Sequence, residues 1–183
     1  MPRCSNPECR EKFETKTFCR KYCYRDECNN MEYERLKAKA IKKAEQAKRK
    51  HKKENETVQD LMKKAQKVFN EFIRIRDKGK NCISCLSELK GKYDAGHYVS
   101  SGSCKALTFN ERNVHGQCVH CNQHKHGNLI SYREGLEERI GIVWVQHLEV
   151  RRNETANYTR EELRHLINQY KQKVKDLKKA IAD

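Results

Sequence analysis

The chain has 183 residues, enough for one domain of ordinary size or two very small ones. Hydrophobic and charged residues each make up 36% of it, which argues against a single large core. Lys and Arg number 40 against 25 Asp and Glu, a net charge of +15. The expected partner is therefore a polyanion, with nucleic acid ahead of an anionic membrane surface.

The cysteine content points to bound metal. No apolar run reaches the roughly 20 residues that a membrane-spanning helix needs, and the start, Met1-Pro-Arg-Cys4, lacks the apolar stretch of a signal peptide. We therefore expect a cytoplasmic protein, in which thiols stay reduced and disulfides are rare. The ten cysteines are then best explained as metal ligands.

Residues 1–30 predict an N-terminal zinc finger. They hold five of the ten cysteines and few apolar residues, and such a segment needs a staple in order to fold. Cys28 competes with Cys23 for the fourth ligand place. The predicted structural zinc site consists of Cys4, Cys9, Cys19 and Cys23.

Residues 31–56 predict a basic tether, either a solvated helix or a looser segment. Strong helix formers dominate, but there is almost no apolar stripe. Residues 34–53 carry ten Lys and Arg against two Glu. Such a run is by default a solvated face, and its uniform sign favours contact with DNA phosphates. The candidate DNA-binding residues here are Lys42, Lys43, Lys48, Arg49 and Lys50.

Residues 57–183 are predicted to form one domain, which begins with a helix over 57–78. Thr57 and Asp60 have the spacing of a capping box. Apolar residues three and four apart follow, so one face of this helix should pack on the centre of the domain.

The helical pattern returns over 131–183. Two short helices broken at Gly141 are expected first, and then a longer helix behind a second capping box formed by Thr159 and Glu162. Its near-heptad apolar stripe is expected to pack on its own chain. A homodimer contact is the alternative.

The loop-rich centre, residues 80–130, carries a stronger metal signal. Cys82-Ile-Ser-Cys85 and Cys118-Val-His-Cys121 are two CxxC knuckles with 32 residues between them. Two such knuckles complete a tetrahedral, closed Zn²⁺ site. Cys104 has no obvious partner and is expected to be a buried or idle thiol.

Chemically capable residues lie between and just after these knuckles. Phosphodiester hydrolysis needs a base that activates water and a divalent cation that neutralises the charge developing on phosphate. Histidine suits the first task, and Asp or Asn oxygens suit the second. The residues of these types are Asp94, His97, Asn113, Asn122 and His124.

The strings CISC, DAGHY, FNERN, QCVHCNQHK and GNL resemble zinc-stabilised HNH (His-Me finger) nucleases and, more narrowly, the NinG (Rap) family of lambdoid phages. The resemblance covers most of the chain. It implies an α+β, mostly helical fold with a small zinc-stabilised ββα-metal core flanked by helices. It also implies a structure-specific endonuclease that uses Mg²⁺ or Mn²⁺ on branched DNA, such as Holliday junctions and D-loops, during phage recombination in the host cytoplasm. Phage or host recombination proteins are further candidate partners.

The resemblance also implies roles for single residues. His97 would be the general base, and Asn113 would fix the hairpin or orient His97. Asn122 would bind the catalytic metal. The residue directly before the base is usually the other metal ligand, but here it is Gly96. Asp94 is our substitute, through a bulge or a metal-bound water.

Further candidates and their alternatives follow from the same comparison. His124 is the reserve metal ligand, and Lys125 or Arg112 would hold the scissile phosphate. Asp94 and Asn113 are alternatively plain turn residues. The three remaining histidines of this region are expected to face solvent or phosphate rather than to bind metal: His115, His120 and His126.

Two other functions remain as alternatives. Gly96 in the usual ligand position keeps open a non-catalytic, zinc-stabilised DNA-binding accessory protein of recombination. An RNA-binding or assembly protein ranks last, because aromatic residues for base stacking make up only 8% of the chain.

Overall fold

The computed structural model describes residues 1–182. The chain divides into two compact units, Met1–Glu56 and a second that begins at Thr57. The described residues form five α-helices and one two-stranded antiparallel sheet. The expectation of a mostly helical α+β protein with a small sheet is therefore confirmed.

The first unit is a cysteine-rich segment followed by a long helix. Three cysteines and Phe13 form its buried cluster, and the partly buried Cys9 and Tyr22 pack against it. Helix α1 (Asp26–Glu54) starts inside this segment, earlier than the expected boundary at 31, and its buried residues are Cys28 and Glu32. The basic stretch is thus helical, and residues 36–54 of α1 are exposed.

Two long helices build the main core of the second unit. Helix α2 (Val58–Arg76) and helix α5 (Arg160–Ala182) share one apolar cluster that includes Phe69 and Tyr170. The apolar stripe of α5 is therefore used within its own chain, as expected.

Both predicted capping boxes are present. The Thr57 side chain accepts the Asp60 N–H, and the Asp60 carboxylate accepts the Thr57 N–H. Thr159 and Glu162 make the same reciprocal pair.

Two shorter helices close a second apolar cluster. Helices α3 (Leu129–Ile140) and α4 (Ile142–Val150) are separated at Gly141, whose φ of 84° ends the first helix. Cys104 is buried in this cluster, which confirms it as a buried thiol. The other buried members are Ile83, Leu107, Tyr132, Leu136, Val145 and Leu148.

The sheet is a hairpin of β1 (Tyr93–His97) and β2 (Val114–Cys118). Its register sets Asp94 opposite Gln117 and His97 opposite Val114. Side chains directly opposite each other in a ladder lie on the same face. A short π-helical segment, His120–His124, follows β2 and leads towards α3.

Candidate functional site

The N-terminal cysteine cluster consists of Cys4, Cys9, Cys23 and Cys28, whose Sγ atoms all lie within 4.8 Å of one another. The Sγ atoms of Cys9 and Cys23 are 3.7 Å apart. Zn–S bonds of about 2.3 Å in a tetrahedron separate the sulfurs by about 3.8 Å. The cluster therefore fits one structural zinc ion.

The predicted ligand set of this cluster was wrong at Cys19. Cys19 is exposed, and its carbonyl accepts a hydrogen bond from Arg35. Cys28 takes the place instead, because the start of α1 brings it beside Cys4, where Asn6 Nδ2 lies 3.2 Å from its Sγ. Cys23 and Cys28 were expected to be alternatives for one ligand place, but both belong to the cluster. The spacing of cysteines along the chain could not show that Cys19 lies outside it.

The central cysteine cluster is the predicted set of Cys82, Cys85, Cys118 and Cys121. The Sγ atoms of Cys85 and Cys118 are 3.8 Å apart, again the edge of a zinc tetrahedron. The Cys118 N–H lies 3.4 Å from Cys82 Sγ. Because Cys118 is the last residue of β2, the cluster ties the end of the hairpin to the first knuckle.

His97 ends β1 and is half-buried. Its Nε2 lies 3.1 Å from the Thr108 carbonyl oxygen. A carbonyl can only accept, so Nε2 carries the proton of the neutral ring, and the Ala95 backbone is a second hydrogen-bond partner of this histidine. Burial lowers the pKa of His97 below its ordinary value, which favours the neutral ring at neutral pH.

Asp94 and Asn122 meet across the hairpin. Asn122 Nδ2, in the π-helical segment, donates to Asp94 Oδ2 at 2.9 Å. Gln123 Nε2 donates to the same oxygen at 2.8 Å. Asp94 and Asn122 are thus in contact although they are 28 residues apart in the sequence.

His97 and Asn122 line one cavity of about 730 Å³, the His97 cavity. His126 lines it too and is exposed, as expected of a histidine that faces solvent. Arg152 contributes a cationic group, and Arg133 does so while paired with Glu149, which lines the cavity as well. The cavity therefore combines an imidazole, an amide and two guanidinium groups.

Two buried polar groups were missed in the sequence. Asn70 lines the cavity from α2, and its Oδ1 is buried without a hydrogen-bond partner among the described residues. Gln117 Oε1 is in the same state on β2. In the sequence, Asn70 follows directly after the apolar Phe69, and Gln117 directly precedes the cysteine Cys118. Neither position indicated a buried polar group.

Asn113 is fully buried and holds the segment that follows His97. Its Oδ1 accepts the Val99 N–H at 2.8 Å, and its Nδ2 donates to the carbonyls of Val99 and Leu107 at 2.9 and 3.0 Å. These hydrogen bonds tie Val99 and Leu107, in the segment that connects the two strands, to the residue just before β2.

His115 was expected to face solvent or phosphate rather than to bind metal, and the expected exposure was wrong. It is buried, and its ring contacts Arg76 and the Arg112 carbonyl, both at 3.1 Å. Burial and the charge of Arg76 lower the pKa of His115 to about 3. The cause is that β2 is covered on both faces.

A buried carboxylate anchors the same hairpin. Asp77 is fully buried and accepts the Gly116 N–H at 2.8 Å as well as donors from Arg76 and Lys80. Burial alone would raise the pKa of Asp77, but these donors hold it well below its usual range. Tyr132 adds a bridge by donating to the Gly96 carbonyl at 2.8 Å.

The other predicted polar residues lie apart from the cavity lining. His124 is exposed, with its ring centroid 5.9 Å from that of His120. Lys125 is exposed as well. Arg112 stacks over Trp144 at 3.5 Å. Among the described residues, the cations that line the cavity are Arg133 and Arg152 instead.

The fold and the two cysteine clusters define a small, mostly helical α+β protein with two four-cysteine sites that fit structural zinc. The chain belongs to the NinG family, because residues 1–180 match the family model described as the bacteriophage lambda NinG protein.

Curated relatives agree with this membership. Over 117 residues the chain is 46% identical to protein ninG of Salmonella phage P22 and of Escherichia phage lambda, a match that covers 64% of this chain and 57% of each relative. The same protein of Enterobacteria phage H19B is 43% identical over 117 residues and is covered to 58%. The match thus spans a little under three fifths of these relatives. No solved structure gives a match, and none of the described helices has the length and apolarity to cross a membrane.

Proposed function

We propose that the protein is a divalent-metal-dependent HNH-type endonuclease that hydrolyses phosphodiester bonds in branched DNA during phage recombination. One observation carries the proposal. His97 from β1 and Asn122 from the segment after β2 face a single cavity, and the central cysteine cluster holds the hairpin between them.

Asp94 and Asn122, which contact each other, fit a hard cation, and Asn122 is the one of the two that lines the His97 cavity. Asp94 supplies a carboxylate and Asn122 an amide oxygen, which are donors that Mg²⁺ and Mn²⁺ prefer. In the structure, two amide groups donate to Asp94 Oδ2, so this oxygen faces positive partial charge. We assign Asp94 and Asn122 as ligands. A bound ion would neutralise the charge that develops on the phosphate.

His97 has the properties of a general base. The Thr108 carbonyl holds the Nε2 proton of the neutral ring, and Nδ1 is the nitrogen that we assign to take a proton from the attacking water. The lowered pKa of His97 keeps the ring ready to accept that proton at neutral pH. Arg133 and Arg152 are the cavity residues that we assign to the phosphate.

Affinity for DNA is assigned to charge rather than to base recognition. Helix α1 presents exposed cations, and contacts with phosphates position a protein on DNA without reading its sequence. The five residues chosen from the sequence are exposed here as well: Lys42, Lys43, Lys48, Arg49 and Lys50.

A non-catalytic DNA-binding protein is the second candidate, and Gly96 favours it. The residue before the general base usually binds the metal, and a glycine has no side chain with which to do so. A Cβ atom added at this position would lie 2.2 Å from Gln117 Oε1, so no other residue fits without a shift.

The test is cleavage of labelled DNA by the purified chain. A four-way junction and a linear duplex of the same sequence are each incubated with Mg²⁺, with Mn²⁺ or with a chelator. We expect cleavage of the junction with either ion and none with the chelator. Tight junction binding without cleavage under any of these conditions would replace the nuclease by the DNA-binding protein.

A further inference from the structure

Gln117 is a buried amide whose nitrogen has hydrogen-bond partners and whose oxygen has none among the described residues. Its side chain is fully buried. Nε2 donates to Ser84 Oγ at 2.7 Å and to the Gly127 carbonyl at 2.6 Å. Oε1 is buried and has no partner among the described residues. A buried amide oxygen without a partner is costly and calls for an explanation.

The orientation of this amide is determined by its neighbours. The Gly127 carbonyl can only accept a hydrogen bond, so the NH₂ group must face it. Exchanging nitrogen and oxygen would set two acceptors against each other at 2.6 Å. Oε1 therefore points away from Gly127, towards Gly96 on the other strand.

Oε1 lies where the missing metal ligand would be. Gln117 is directly opposite Asp94 in the hairpin, so the two side chains share a face of the sheet. Oε1 is also 2.2 Å from the Cβ position that any side chain at residue 96 would use. The oxygen thus occupies the space of the residue that precedes the general base.

Asn122 contacts the Asp94 carboxylate on this face. It donates through Nδ2 to Asp94 Oδ2 at 2.9 Å, so its Oδ1 is the oxygen that a cation would bind. Gly127, which fixes the Gln117 amide, lines the His97 cavity together with Asn122. A carboxylate and two amide oxygens form a donor set suited to a hard divalent cation.

We propose that Gln117 Oε1 is a ligand of the catalytic divalent ion, supplied by β2 in place of a side chain at Gly96. The inference rests on the proposed nuclease function. It explains why residue 96 is a glycine, since a larger residue would displace the ligand. It also removes the main argument for a protein without catalysis.

The test measures Mn²⁺ binding to the full-length, zinc-loaded protein by titration calorimetry or by the electron paramagnetic resonance of free Mn²⁺. Gln117→Met keeps a similar volume and removes the oxygen. Gly96→Ala keeps the amide but adds a Cβ atom 2.2 Å from the position of Oε1, so the oxygen must move. Ser84→Ala is the matched control, because it removes a hydrogen bond of Nε2 and leaves Oε1 untouched.

A ligand role predicts a specific pattern. Gln117→Met should weaken Mn²⁺ binding about tenfold or more, the scale seen when even indirect partners of a metal are lost. Gly96→Ala should also weaken Mn²⁺ binding, because the added Cβ atom displaces Oε1. Ser84→Ala should leave the affinity unchanged, with zinc content as the check on folding.

Other outcomes separate the two proposals. If the wild type binds Mn²⁺ and cleaves DNA while Gln117→Met binds Mn²⁺ equally well, Oε1 holds a buried water and only this inference is overturned. If the wild type neither binds Mn²⁺ nor cleaves, the proposed function falls with it. Should Gln117→Met fail to retain zinc, Gly96→Ala decides, and an unchanged Mn²⁺ affinity in that folded variant refutes the ligand role.

Discussion

The two cysteine clusters use the same chemistry in very different surroundings. In the first unit, the buried cluster consists of Phe13 and the cysteines themselves, with Cys9 and Tyr22 packed against it. In the second unit, the central cysteine cluster lies in a unit with two larger apolar clusters, one shared by α2 and α5 and one closed by α3 and α4. Metal must therefore supply most of the folding free energy of the first cluster.

The two units also differ in the function that their surfaces suit. The first unit combines a metal-dependent fold with a long exposed basic helix, an arrangement suited to binding a polyanion. The second has buried polar groups and a cavity around His97. There the central cysteine cluster ties the end of β2 to the first knuckle, and β1 of the same hairpin ends at His97, the residue that we propose as the general base.

The largest effect should come from breaking the N-terminal cysteine cluster. Cys28→Ser should lower the zinc content from two ions to one per chain and unfold the cysteine-rich segment, because structural zinc contributes on the order of 10 kcal/mol in isolated fingers. Cys19→Ser is the matched control and should keep both ions. Metal analysis and the near-ultraviolet circular dichroism of the two variants provide the measurement. Equal loss of zinc in both would restore Cys19 as a ligand.

The next largest effect concerns catalysis in the second unit. His97→Ala should slow junction cleavage about 10²–10⁴-fold, the usual cost of losing a general base. Junction affinity should stay nearly constant, because His97 acts on the attacking water rather than on bound DNA. His124→Ala, at an exposed histidine, should cleave at the wild-type rate. Single-turnover rates and binding curves distinguish the two steps, and wild-type cleavage by His97→Ala would exclude this base.

A stability test concerns the buried anchor of the hairpin. Asp77→Asn should destabilise the second unit by about 3 kcal/mol, because it leaves Arg76 without its buried partner. Asp176→Asn, on the exposed face of α5, should change the free energy of unfolding little. Chemical denaturation of both variants measures the difference. Equal stabilities would show that Asp77 does not anchor β2.

The pH dependence of the same carboxylate has a definite sign. Folding lowers the pKa of Asp77, so the unfolded chain takes up a proton more readily than the folded one. Its contribution is therefore complete above about pH 4, the ordinary range of Asp, and is lost as the pH falls below it. Asp77→Asn should flatten this acid limb in a series of denaturation curves. A limb of unchanged steepness would assign acid sensitivity to other groups.

The smallest effect tests the basic helix of the first unit. Lys42→Gln with Lys43→Gln should reduce the slope of log affinity against log salt by about 0.9 for each side chain that touches a phosphate. Lys171→Gln with Lys175→Gln, both exposed on α5, is the matched pair. Equal changes in the two double variants would mean that α1 contributes only general charge.

Short sequence patterns determined the helix ends and the central cysteine cluster of this protein. The capping box at Thr57, the break at Gly141 and the central cysteine cluster all follow from residues a few positions apart, because helix ends and CxxC knuckles are built by short-range geometry. The buried face of α5 could also be predicted, because the spacing of its apolar residues shows which side of the helix must be buried.

The tertiary structure decided what depends on distant residues. It put Cys28 rather than Cys19 into the N-terminal cysteine cluster, buried His115 between two covered faces of β2, and moved the cavity cations from Lys125 to Arg133 and Arg152. It also left Gln117 Oε1 unpaired against Gly96. Burial and partner choice depend on which segments meet in space, and no spacing within one segment encodes that meeting.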